Sequence, residues 1–130
     1  MIALVATAGG AFAVDLDAEE VEPSSDEPEP AAEVLLNLPR LVTAAAAGSV
    51  VYALVDARPP ILVSHDAGST WRACGHGLPP GRAVALSPEM PDVAVFAARN
   101  RLYVTRDGGR FWTGLAVELP EIHGVELREA

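Results

Sequence analysis

Among 130 residues there is one cysteine, Cys74, and there are three histidines, His65, His76 and His123. A single thiol excludes a disulfide within the chain, and nothing here points to an oxidising compartment. The histidines follow no zinc-ligand spacing and Cys74 has no cysteine companion, so no metal and no cofactor is expected. Aromatic residues make up only 5% of the chain, while valine, alanine and leucine abound. That composition suits many short strands better than a helical bundle. No apolar run is long enough to cross a membrane as a helix. No glycine-rich loop follows a strand and opens a helix, as a phosphate-binding loop would. Lysine is absent, all nine basic residues being arginine, and no functional reading attaches to that.

The net charge of −9 is local. Residues 15–33 carry nine acids (Asp15, Asp17, Glu19, Glu20, Glu22, Asp26, Glu27, Glu29 and Glu33) and no base. From residue 34 onward nine acids balance nine arginines. The sign and placement of charge are wrong for a nucleic-acid module. The acidic run reads as a solvated, proline-punctuated insertion over residues 18–33, or else as a loop for a basic partner.

Met1 to Ala13 is apolar and ends in Ala11-Phe12-Ala13, which fits the cleavage site of a signal peptide and would imply export. It lacks a basic start, however, and Gly9-Gly10 interrupts it. A hairpin of Ile2 to Thr7 and Ala11 to Leu16 about a glycine turn is the preferred reading, with a cytoplasmic chain.

Internal repetition organises the rest. Leu38-Pro39, Leu78-Pro79 and Leu119-Pro120 recur at spacings of 40 and 41 residues. Two eight-residue segments stand at the same 41-residue offset: Ser64-His65-Asp66-Ala67-Gly68-Ser69-Thr70-Trp71 and Thr105-Arg106-Asp107-Gly108-Gly109-Arg110-Phe111-Trp112. Upstream of each come two β-rich runs, Val50 to Val55 with Ile61 to Ser64, and Val93 to Ala98 with Leu102 to Thr105. The period and strand count predict an all-β chain of three four-stranded propeller blades. Repeat one covers residues 1–40 with its insertion at 18–33 and strand resuming at Val34-Leu35-Leu36. Repeat two covers 41–81, repeat three 82–122, and a ring-closing strand 123–130.

The two segments resemble the Asp-box, or bacterial neuraminidase repeat, of pattern S/T-x-D-x-G-x-T-W. Ser64, Asp66, Gly68, Thr70 and Trp71 match it, as do Thr105, Asp107, Gly109 and Trp112, the second copy departing only at Phe111. The resemblance implies a β-propeller and says little about chemistry, because the family spans sialidases, sortilin-like receptors and photosystem assembly factors. On physical grounds each aspartate is expected to fix a tight turn by accepting backbone N–H bonds. Gly68 and Gly109 are expected to take positive φ. Both tryptophans are expected to pack between neighbouring sheets with the indole N–H on a backbone acceptor.

Sialidase chemistry needs a tyrosine nucleophile with a glutamate partner, and Tyr52 and Tyr103 fall inside strands. Other glycosidases need two carboxylates at a set separation, and outside the acidic run no pair stands on loops of one face. The chain is therefore expected to be a non-catalytic binding or scaffold module, an assembly factor or a subunit of a larger complex. A glycan-binding or glycosidase-related protein is the alternative. Turns and Leu-Pro exits at one end of the blades gather Arg40, Arg58, Arg82, Arg99, Arg101 and His123, a candidate site for an anionic ligand or acidic protein. Three blades fall short of the four to eight of known rings. A homodimer closing a six-bladed ring is expected, with Val125 to Leu127 of one chain pairing with the N-terminal hairpin of the other, or else another propeller-type protein as partner.

Overall fold

Runs of valine, alanine and leucine punctuated by glycine, proline and aspartate leave little to form but strands. The computed structural model describes residues 1–29, 34 and 36–129. Its strands are β1 (Ile2–Thr7), β2 (Gly10–Asp15), β3 (Glu20–Pro23), β4 (Leu41–Ala47), β5 (Val50–Val55), β6 (Ile61–Ser64), β7 (Arg72–Cys74), β8 (Ala83–Leu86), β9 (Ala94–Ala97), β10 (Leu102–Thr105), β11 (Thr113–Gly114) and β12 (Ile122–Arg128). No helix forms among the described residues, so no helix there is long and apolar enough to cross a membrane.

The strands make three four-stranded sheets, antiparallel throughout. The first has the order β12-β1-β2-β3, the second β4-β5-β6-β7 and the third β8-β9-β10-β11. Each is a blade-like meander whose inner strand is the first in the order. The third sheet lies between the other two: β8 packs against β12 on one side and against β4 and β5 on the other. Its strands are therefore apolar on both faces. Ala83, Ala85, Val95, Ala97, Leu102 and Val104 face the first sheet, against Ala3, Val5, Val14, Val125 and Leu127. Val84, Leu86, Ala94 and Phe96 face the second, against Tyr52, Leu54, Ile61 and Val63. A run such as Ala94-Val95-Phe96-Ala97, buried on both faces, shows no alternation of polarity for that reason.

Three expectations are corrected. Residues 20–23, placed inside an insertion, form the outer strand β3, paired with β2 from Phe12↔Pro23 to Asp15↔Glu20. Glu20-Val21-Glu22 alternates, so Val21 joins the core and the glutamates face out. The acids around it are tied down. Glu19 accepts from the Ala116 N–H at 2.9 Å, Asp17 meets Arg106 at 3.1 Å, and the Glu29 N–H donates to Glu126 at 3.0 Å. Second, Val34 and Leu36 are not in a strand. They pack on the outer face of the second sheet, with Leu38, beside Ala44, Val51 and Ala53. Leu35 and residues 30–33 lie outside the described residues.

Third, β12 pairs with β1 of its own chain, from Ile2↔Arg128 to Thr7↔Ile122. The hairpin's open edge is filled from within, and no strand need come from a second copy. Seven residues from Glu129's neighbour Arg128 back to Ile122 suffice to span β1. The N-terminal hairpin itself stands where it was expected, with Ala3, Val5 and Val14 fully buried.

Candidate binding site

The two repeated segments are the turns from β6 to β7 and from β10 to β11. In the first, Ser64 Oγ donates to Asp66 Oδ1 at 2.7 Å and accepts from the Gly68 N–H at 2.8 Å. Asp66 Oδ1 accepts from the Thr70 N–H at 2.8 Å, and Thr70 Oγ1 donates to Oδ2 at 2.5 Å. In the second, Thr105 Oγ1 donates to Asp107 Oδ1 at 2.8 Å and accepts from the Gly109 N–H at 3.0 Å. Asp107 Oδ1 accepts from the Phe111 N–H at 3.0 Å. Gly68 and Gly109 have φ of 93° and 92°, a conformation that a Cβ strains. The carboxylates are thus engaged in holding turns. A related device closes the first sheet's turn, where Asp15 Oδ1 accepts from the N–H groups of Asp17 and Ala18.

The tryptophans differ. Trp112 lies in the seam between the second and third sheets, its indole N–H donating to the Gly109 carbonyl at 3.0 Å. Its ring meets Tyr52 and Phe96 edge-on at 6.3 Å each. Trp71 was expected in such a seam too, but it packs on the second sheet's outer face among Val34, Leu36 and Leu38. The reason is spatial order: that face has the connection from the first sheet against it.

Donated hydrogen bonds stabilise the ionised carboxyl. The Thr70 hydroxyl and N–H hold Asp66 down to about 2. The Phe111 N–H, chiefly, lowers Asp107, and the Ala18 N–H, chiefly, lowers Asp15. A depressed folded value stabilises the fold above the unfolded value, near 4, and that contribution is lost as pH falls from there through about 2. The melting temperature is expected to decline over that window. Asp66→Asn should melt lower at neutral pH and follow a flatter curve below pH 4, as read by circular dichroism. A wild-type curve that is flat down to pH 2 would contradict this role.

At the opposite end of the blades, where the inner strands begin, the structure places the arginines. Arg82, Arg99 and Arg101 line a groove of about 530 Å³ with Pro79, Pro80, Tyr103 and Glu118. Arg58 and His76 line an adjoining one of about 600 Å³ that shares Pro79, Pro80 and Tyr103. Arg40 and His123 stand at the same end without lining either. The Arg40 carbonyl accepts from the Asp56 N–H, and Ile122, next to His123, donates to the Arg99 carbonyl.

Two of these arginines have partners. Arg82 meets Glu121 at 2.9 Å and Arg101 meets Glu118 at 3.1 Å. Arg82's hydrogen bond, aided by the charges of Arg99 and His123, lowers the Glu121 carboxyl below its usual range. Among the described residues Arg58 and Arg99 have no ion-pair partner. The Nε of Arg101 is buried without a hydrogen-bond partner among the described residues.

Glu118, Glu121, His76 and Tyr103 were not legible as parts of this face. Glu118 and Glu121 flank the Leu119-Pro120 exit, and nearness to His123, mapped to that exit, was the one signal available. Among the described residues no group of three or more histidine, cysteine, aspartate or glutamate side chains has the arrangement of a metal site. No protein-family model, curated protein or solved structure matches the chain.

Proposed function

We propose that the chain is a non-catalytic binding module built on Asp-box propeller blades, a scaffold or subunit of a larger complex, whose arginine-lined grooves hold an acidic ligand or the acidic part of a partner protein. The observation that carries this reading is the convergence of Arg58, Arg99, Arg101 and Arg82 on two adjoining grooves, with only Glu118 as an acid in their linings. Arg58 and Arg99 supply uncompensated charge. The planar guanidinium matches a carboxylate or phosphate in a paired geometry that ammonium groups lack. Tyr103 and the Pro79-Pro80 wall give the groove an apolar side, which strengthens an ion pair formed against it.

The glycan-cleaving alternative has less support. A glycosidase acid needs a carboxyl with a raised pKa, whereas Glu121 is held down by Arg82, and Glu129, which its hydrogen bond with Glu89 raises, lines neither arginine groove. The Tyr52 hydroxyl donates to the Pro91 carbonyl from a buried position. A six-bladed ring of two copies would have to close by contacts other than the expected exchange of residues 125–127. The first sheet is completed by β12 of its own chain, and Leu36 and Leu38 lie on the second sheet's outer face, where a neighbouring blade would pack.

The test is titration of a labelled polyglutamate peptide, followed by fluorescence anisotropy at low ionic strength. Wild type is expected to bind and to release the peptide at high salt, where the exposed charges are screened. Replacing Arg58 and Arg99 together by alanine should weaken binding about tenfold, the effect of removing roughly 1.4 kcal/mol of interaction. Equal affinity of the double variant would refute the assignment.

A further inference from the structure

The two repeated turns differ at one position that matters. In the first, the Thr70 hydroxyl completes the coordination of Asp66. In the second, Phe111 stands in its place, so Asp107 keeps the Thr105 hydroxyl and the Phe111 N–H as donors but lacks the second hydroxyl that Asp66 has. The phenyl ring gains no burial in exchange: Phe111 is 78% exposed, the most exposed large apolar residue of the described chain. A sequence that gives up a local hydrogen bond to display an aromatic ring breaks a folding rule without a folding gain, and such breaks mark functional positions. Exposed aromatic side chains are also the usual anchors of protein interfaces.

The surroundings suit one kind of partner. Phe111, Trp112 and Leu78 are apolar members of the lining of a groove of about 400 Å³, with Arg72, Arg110 and His76 as its polar members. No acidic residue lines it. Arg72 is held over the groove by donating to the Gly108 carbonyl at 3.2 Å. Along it runs β7, the outer strand of the second sheet, whose far edge pairs with no strand among the described residues. Arg72 and Ala73 on that strand are exposed.

We infer that this groove is a docking site for an extended acidic segment of a partner protein, one in which glutamate or aspartate alternates with aliphatic residues. Such a segment adds to the free edge of β7 by main-chain hydrogen bonds. Its aliphatic side chains meet Phe111 and Leu78, and its carboxylates meet Arg72 and Arg110. The occupant follows from charge complementarity, because two arginines and no acid line the groove beside an open strand edge, Asp92 and Asp107 lining the neighbouring pocket instead. The site is separate from the arginine-lined grooves and does not depend on them.

A labelled peptide alternating glutamate with leucine tests it by anisotropy. Phe111→Thr recreates the Thr70 arrangement, so the variant should fold at least as well, which circular dichroism checks. It should bind the peptide about tenfold more weakly, and so should Arg110→Glu. The Arg58→Ala, Arg99→Ala double variant should bind it as wild type does, while polyglutamate should show the reverse pattern. Unchanged affinity of Phe111→Thr overturns the site. Loss confined to the Arg58 and Arg99 variant overturns it too, by placing the peptide on the arginine face. Concentration-dependent self-association that Phe111→Thr abolishes would put a second copy in the groove and also overturn it.

Discussion

Removal of residues 122–130 is expected to abolish the cooperative thermal transition of the chain. These residues supply β12, the inner strand of the first sheet, which also packs against β8 and β9 of the third. Ile122, Val125 and Leu127 are buried at 0%, 8% and 7% exposure. At about 1.5–3 kcal/mol for each such side chain, their loss removes roughly 5–9 kcal/mol. A whole domain is stable by only about 5–15 kcal/mol. The deletion further opens the edge of β1 and uncovers Ala3 and Val5, an invitation to aggregation. Circular dichroism melts and dye binding to exposed apolar surface are the readouts. A synthetic peptide of residues 121–129, added in trans, should restore the transition by taking the vacant edge. A truncated chain that melts within a few degrees of wild type would show that the first sheet stands without its inner strand.

Phe96→Ala is expected to cost about 3–5 kcal/mol and to lower the melting temperature by roughly 10–20 °C. Phe96 is fully buried in the seam between the second and third sheets. Its ring meets Tyr103 and Trp112 edge-on, at 6.0 and 6.3 Å. The backbone of Gly81 passes so close that a Cβ there would clash with the Phe96 ring. A ring enclosed this tightly leaves a cavity that its rigid neighbours fill poorly. Exposed Phe111 is the contrast: its replacement by alanine should change stability by less than about 0.5 kcal/mol. A loss below 1 kcal/mol for Phe96→Ala would mean that the seam collapses to fill the hole.

Much of this architecture could be read from the residues, and the gaps have physical causes. The 41-residue offset of Asp66 and Asp107 identified the repeated turn, because a short carboxylate and a positive-φ glycine are local requirements that leave local marks. The spare strand at Val125 was visible because it follows the third Leu-Pro pair, where the other repeats begin a new blade. The outer strand at Glu20–Pro23 was hidden by composition: an edge strand shows one apolar residue, Val21, among acids that face water. The placing of Trp71 depends on which sheet neighbours which, and the spatial order of the three sheets is a long-range property that no short pattern carries. Likewise the arginines at one end were legible, but not that Glu118 and Glu121 neutralise two of them, since both pairings cross between segments 17 and 39 residues apart.

The closure of the first sheet by β12 sets an order of events during synthesis. The hairpin of β1 and β2 is complete at Asp15, while its inner neighbour begins at Ile122, about a hundred residues later. At about 5–20 residues per second, the nascent hairpin waits roughly 5–20 s for the strand that completes it. Over that interval Ala3, Val5 and Val14 lack their final cover. The nine acids of residues 15–33 leave the ribosome directly behind that hairpin, and like charges beside an exposed apolar strand oppose its association with other chains. The most acidic stretch of the protein is thus made directly after the hairpin that must wait longest for its inner strand.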